Sequence, residues 1–75
     1  MNVIKLLAEL DANFDLEGFY CVTLWTSLNE ISLQGHFTAS NVKIAETMGI
    51  ELIYKDGFIK GTSENGTVKI TLSCQ

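Results

Sequence analysis

The spacing of apolar residues changes along this chain from a helical period to alternation. Residues 2–12 carry one apolar stripe at spacings of three and four, which predicts an amphipathic helix. The stripe consists of Val3, Leu6, Leu7 and Leu10. Asn2 is placed to cap the start of this helix, and Asn13 to end it in a left-handed conformation. The first element is therefore expected to lay one face on a core.

Two predicted strands follow an acidic connection over residues 13–18. Residues 19–26 are rich in β-branched and aromatic residues, which favours a strand. Its two faces are both apolar, with Phe19, Cys21 and Trp25 on one and Tyr20, Val22 and Leu24 on the other. This favours a central strand, or one whose second face meets a helix or a partner. Residues 31–37 alternate, with Ile31, Leu33 and Phe37 on the apolar side, which is typical of a half-exposed antiparallel strand.

A second helix is predicted over residues 39–48. Thr38 and Ser40 are both suitable N-caps for it. Gly49 followed by Ile50 is typical of a helix end, because glycine adopts the left-handed position and the next apolar residue packs back on the last turn.

The last third of the chain predicts a three-stranded meander. Asp56-Gly57 and Asn65-Gly66 each favour a two-residue type I′ turn, in which both central residues have positive φ. The two turns pair Tyr54 with Ile59 and Ile59 with Leu72, and both registers place the same residues on the core face. That face collects Ile50, Leu52, Tyr54, Ile59, Val68, Ile70 and Leu72.

These elements predict a single α+β domain over residues 1–75. The order is α-β-β-α-β-β-β, in a small two-layer sandwich with an antiparallel sheet and two helices on one face. Neither a secretory signal nor a membrane-spanning segment is recognisable, so we expect a cytoplasmic protein. Cys21 and Cys74 are then expected to be free thiols.

Charge limits the kinds of partner. The chain has a formal net charge of −4, and its five basic residues are all lysines. Without arginine, an acidic chain is a poor candidate for binding a phosphate backbone, so direct nucleic-acid binding is not expected. The acidic residues of the first half form a candidate patch for docking on a basic groove of a partner protein: Glu9, Asp11, Asp15, Glu17 and Glu30.

The outward face of the predicted meander is a second candidate surface. It combines three lysines with two apolar residues: Ile53, Lys55, Phe58, Lys60 and Lys69. A lysine-rimmed apolar patch is suited to an acidic partner or to another sheet. The same composition also fits an ordinary solvated sheet face, since scattered exposed apolar residues are common.

No catalytic, metal or cofactor motif is present in the sequence. His36 is the only histidine and has no recognisable nucleophile and orienting group beside it. Asp11, Asn13 and Asp15 match the first ligand positions of an EF-hand loop, but its glycine and final glutamate positions hold Leu16 and Val22. We therefore expect no enzyme activity, no metal and no cofactor.

Trp25 has a structural and a functional reading, whereas Gly35 and Gly61 have structural readings. Trp25 is either a core residue, which its size favours, or an anchor for a partner. Gly35 and Gly61 lie inside predicted strands, where glycine commonly marks a bulge or a close approach of backbone.

In size, acidity and arrangement of elements, the chain resembles the small inhibitor proteins of phages and mobile elements, such as anti-CRISPR proteins. The resemblance implies a non-enzymatic protein-binding module that blocks a host nucleic-acid-handling or defence complex by steric or electrostatic occlusion. It assigns no individual residue. The alternative hypothesis is a structural or accessory protein that associates with itself. It would use a free sheet edge, such as the last strand, or the sheet face around Ile53 and Phe58.

Overall fold

A computed structural model describes residues 2–74, which form two helices and one five-stranded mixed sheet. The helices are α1 (Val3–Asn13) and α2 (Ala39–Thr47), and a short 3₁₀ turn, Leu16–Gly18, precedes the first strand. The strands are β1 (Phe19–Trp25), β2 (Glu30–His36), β3 (Ile53–Lys55), β4 (Phe58–Thr62) and β5 (Val68–Ser73). The predicted α+β class and element order are confirmed.

The ends of α1 follow from local hydrogen bonds. The Asn2 side chain accepts a bond from the Ile4 backbone N–H at 2.9 Å, as a capping residue does. The predicted left-handed Asn13 is wrong. Asn13 remains in the helix, where its side-chain amide donates to the Glu9 carbonyl at 2.7 Å, and the extended Phe14 ends the element.

The strand order is β1-β2-β5-β4-β3, and β2 pairs with β5 in parallel. The prediction of a purely antiparallel sheet was therefore wrong. Helix α2 crosses over the sheet and returns the chain to the end where β2 began, so β3 runs in the same direction as β2. Two hairpins then make β5 parallel to β3 and hence to β2. This order puts β5 at the centre, so the last strand does not supply the free edge expected for self-association.

Strand β1 lies at an edge, although its two apolar faces favoured a central position. A bulge at Tyr20 also changes its phase, since Phe19 pairs with Gly35 and Cys21 pairs with Gln34. The predicted grouping of Phe19 with Cys21 and Trp25 was therefore wrong. Phe19 lies with Val22 and Leu24 on the helix side, whereas Cys21 and Trp25 lie together on the opposite face.

The two meander turns differ in type but keep the predicted register. Asp56 and Gly57 have φ values of 54° and 82°, which confirms the type I′ turn. Asn65 has no positive φ, so the second turn is not type I′ as predicted. Instead the Asn65 Oδ1 atom accepts a bond from the Thr67 N–H at 3.0 Å, within a wider loop over residues 64–67. Ile59 still pairs with Leu72, as expected.

The core lies between the helices and the central strands. Its largest fully buried aliphatic residues come from β2 and β5: Ile31, Leu33, Ile70 and Leu72. Both helices add to this one cluster, through Val3 and Leu10 of α1 and Ile44 and Ala45 of α2. The helices therefore cover one face of the sheet, as predicted.

Two residues assigned to the core face are exposed. Tyr54 belongs to the three-residue edge strand β3 and is 68% exposed. Phe37 follows the end of β2 and is also exposed. In both cases alternation alone placed the side chain inward, but the element ends or lies beyond the cover of the helices.

Candidate functional site: the open face of the sheet

The face of the sheet opposite the helices carries both aromatic and basic side chains. Pairing registers place one set of side chains from all five strands on it. The central part is polar, with Ser32, Gln34, Thr71 and Ser73. The β4–β3 side carries the predicted lysine-rimmed surface: Ile53, Lys55, Phe58, Lys60 and Lys69. The structure brings these five predicted residues onto one face.

The densest part of this surface is formed by β3 and β4. Phe58 pairs with Lys55, and Lys60 pairs with Ile53. The Lys60 Nζ atom lies 5.5 Å from the centre of the Phe58 ring, which is a cation–π distance. A shallow hollow of about 440 Å³ lies beside this pair, and Glu51 contributes to its border.

Lys69 is less available than the other two lysines. Its Nζ atom lies 3.1 Å from the Glu30 carboxylate. This contact also moves Glu30 out of the predicted acidic patch, because Glu30 faces the open side whereas α1 lies on the covered side. The positive part of the open face is therefore centred on Lys55 and Lys60.

A second aromatic group extends the surface toward β1. The rings of Tyr20 and His36 lie 5.1 Å apart between centroids and are tilted by 56°. The His36 Nδ1 atom is 3.2 Å from the Ser73 hydroxyl, and Ser73 is opposite Phe58. A row from Tyr20 through His36 and Ser73 to Phe58 therefore crosses four strands.

Sequence reasoning did not find this row. The bulge moves Tyr20 to the open side, and the pairing of β2 with β5 is not visible in local patterns. His36 is exposed, as predicted. Trp25 was expected in the core, but it is 48% exposed, and its pairing with Glu30 places it on the open face near the end of β1.

The predicted acidic patch is not one surface. Glu9 borders a hollow with Lys5, whereas Asp11 lines a different one with Val22. Asp15 lines a third hollow, and its carboxylate also accepts a bond from the Glu17 backbone N–H at 3.1 Å. Residues two apart on a helix do not face each other, which separates Glu9 from Asp11.

Within residues 2–74, no cluster of three or more His, Cys, Asp or Glu side chains is placed to hold a metal ion. Cys21 and Cys74 are both free thiols, and Cys74 is exposed. Among the same residues, no helix has the length and apolar character needed to cross a membrane.

No protein-family model, curated protein or solved structure matches this chain. Its function therefore has to be inferred from the chemistry of its own surface. The open face is the surface on which the five residues of the predicted lysine-rimmed patch come together.

Proposed function

We propose that this chain is a non-enzymatic protein-binding module whose open sheet face binds an acidic surface of a larger protein. The observation that carries this proposal is the cluster on β3 and β4. There Lys55, Lys60 and the Phe58 ring lie together on a face that no helix covers. An apolar anchor with a basic rim is the kind of surface that selects an acidic partner.

The distribution of charge supports an acidic partner. Three of the five lysines lie on the open face. Of the nine acidic residues, Glu30 lies on the open face, Glu51 borders it, and Asp56 lies in the turn between β3 and β4. The other acidic residues lie in the helices, turns and connections. This separation would orient the chain with its open face toward negative charge during an encounter.

The apolar part of the face supplies area for contact. Phe58 and Ile53 are 40% and 63% exposed, so both can lose water when a partner covers them. Their exposure costs the isolated chain hydrophobic free energy that binding would recover. The lysines would then contribute orientation and association rate more than affinity.

The resemblance to phage and mobile-element inhibitors extends this proposal to a target, a host nucleic-acid-handling or CRISPR-like defence complex that the chain would occlude. Small size and net charge support this extension. The dispersal of Glu9, Asp11 and Asp15 removes support from a single acidic docking patch. The inhibitor hypothesis therefore rests on the lysine face, and it requires an acidic region on the target.

The test is a comparative pull-down from the native host, followed by mass spectrometry. The wild type is compared with Lys55→Glu combined with Lys60→Glu, and with a matched control, Lys5→Glu combined with Lys43→Glu. Lys5 and Lys43 are exposed residues of the helical layer. The control and the wild type should retain the same protein, and the face variant should lose it. Equal retention by all three would refute the proposal.

A salt series and a nucleic-acid control sharpen the test. Retention by the wild type should weaken as salt rises, since exposed charges are screened. The face also combines aromatic rings with lysines, as surfaces for single-stranded nucleic acid do. A gel shift with a single-stranded oligonucleotide at low salt would therefore contradict a protein-only partner.

A further inference from the structure

The two edges of the sheet differ in how well they are protected against pairing. Strand β3 has three residues and carries Lys55, and short, charged edge strands resist addition of another strand. Strand β1 has seven residues, with neither charge nor proline. Beyond the bulge at Tyr20, its regular part from Cys21 to Trp25 presents an unpaired backbone edge.

Apolar side chains are exposed on both sides of the β1 edge. On the open face these are Tyr20 and Trp25. On the helix side Val22 and Ile4 are 40% and 58% exposed. They line an apolar groove of about 420 Å³ between β1 and α1, together with Leu7, Ala8, Asp11 and Leu16. An unpaired edge flanked by apolar surface on both faces is suited to strand addition.

We infer that the occupant of this edge is a second copy of the chain, with β1 paired antiparallel to its counterpart about a two-fold axis through Val22. Val22 is the middle residue of β1, so this register uses the whole strand. No charge on either strand opposes the pairing. The product is a ten-stranded sheet that is continuous across the two copies.

The position of α1 would also let the helical layers of the two copies pack against each other. Helix α1 contacts both β1 and β2, and the proposed dimer takes the helix axis to lie near the gap between them. Its copy across the seam is then two strand spacings away, or about 10 Å. Directly packed helices are separated by roughly 8–10 Å, so the two α1 helices would meet over the joined strands.

The groove residues of α1 are arranged to meet their own copies. The two helices run antiparallel across the two-fold axis, which places Ile4 opposite Asp11 of the second copy. Leu7 and Ala8 then meet at the centre, where the small Ala8 permits close approach. The two Asp11 carboxylates lie at opposite ends of the seam. Each faces the amino end of the other α1, where a negative charge is favourable.

The oligomeric state of the purified chain tests the inference. Light scattering over a roughly hundredfold concentration range should show the mass rising toward twice the 8.3 kDa of one chain. Val22→Lys should remain at the monomer mass, because it places two lysines opposite each other in the seam. Val22 is partly exposed, so the lysine can extend into water in a folded monomer. The matched control is Ile53→Lys on the other edge, which should dimerise like the wild type.

Cross-linking tests the register itself. In a background of Cys21→Ser and Cys74→Ser, Val22→Cys places two thiols at directly opposite positions. Opposite residues of antiparallel strands have Cα atoms about 4.5–5.5 Å apart, within the range of a disulfide. Mild oxidation should give a dimer on a non-reducing gel for Val22→Cys and none for Ile53→Cys in the same background.

Two outcomes would overturn the inference. A wild type that stays monomeric at every concentration would exclude the second copy and leave the edge to a strand of another protein. A dimer that survives Val22→Lys but is lost in Ile53→Lys would move the interface to the opposite edge.

Discussion

Replacing Asn41 by alanine tests the contact that fastens α2 to the sheet. Asn41 is fully buried near the start of α2. Its side-chain amide donates to the Gly18 carbonyl at 3.0 Å and to the His36 carbonyl at 2.9 Å. One polar side chain therefore joins α2 to the turn before β1 and to the end of β2.

The magnitude follows from what the substitution leaves behind. Both carbonyls lose a donor in a partly buried site, and an unsatisfied buried group costs about 1–3 kcal/mol. This cost is partly offset, because the substitution also removes the buried Asn41 Oδ1 atom, which has no hydrogen-bond partner within residues 2–74. We expect Asn41→Ala to lower the free energy of unfolding by about 2–4 kcal/mol. The total free energy of unfolding of a chain of this length is about 4–11 kcal/mol.

The assay is urea unfolding followed by circular dichroism, with a thermal scan beside it. The midpoint temperature should fall by about 8–32 °C, at the 4–8 °C per kcal/mol typical of small domains. Asn41→Asp should be worse than alanine, because it also places a buried negative charge against two carbonyl oxygens. The control is Asn13→Ala, an exposed residue with a local bond. A loss below about 1 kcal/mol for Asn41→Ala would refute the reasoning.

Two glycine substitutions extend this test. Gly35→Ala places a methyl group 2.9 Å from both the Asn41 Nδ2 atom and the Phe19 ring, so it should cost about 1–3 kcal/mol in urea unfolding. Combining it with Asn41→Ala should cost less than the sum of the two, and full additivity would contradict a shared contact. Gly57→Ala forces a side chain onto a φ of 82° and should cost about 1–2 kcal/mol in thermal unfolding. Asp56→Asn should change stability by less than about 0.5 kcal/mol, since asparagine tolerates the same turn.

The elements that sequence reasoning predicted well are those fixed by local interactions. The helix stripe of α1 and the Asp56-Gly57 hairpin each depend on residues only a few positions apart. The outward position of Lys55, Phe58 and Lys60 follows from that hairpin and was predicted with it. The functional role of these residues stays a prediction.

The features that sequence reasoning missed depend on contacts between residues distant in sequence, or on a bulge that shifts the alternation of side chains along a strand. Nothing in residues 31–37 indicates that β2 would pair with β5, because alternation shows that one face of a strand is exposed but not which strand lies beside it, and here it favoured the wrong, antiparallel neighbour. One extra residue at Tyr20 separated Phe19 from Cys21 and Trp25, and its trace in the sequence is Gly35, which pairs with Phe19 at the bulge but does not show which strand bulges. Buried Asn41 was also missed, because a polar residue on a helix is ordinarily expected to face water.

The two proposed surfaces differ in how their residues are brought together. The lysine cluster needs only the β3–β4 hairpin, whereas the groove beside β1 needs α1, the bulge and the edge position of β1 at once. The lysine cluster lies near the β3 edge of the sheet and the groove lies at the β1 edge, and the two surfaces share no residue. A dimer joined through β1 would therefore leave both lysine clusters free, on the same face and at the far ends of one continuous sheet. Self-association and partner binding, which the sequence offered as alternatives, are compatible in this fold, and a dimer would present two copies of the binding face to one acidic partner.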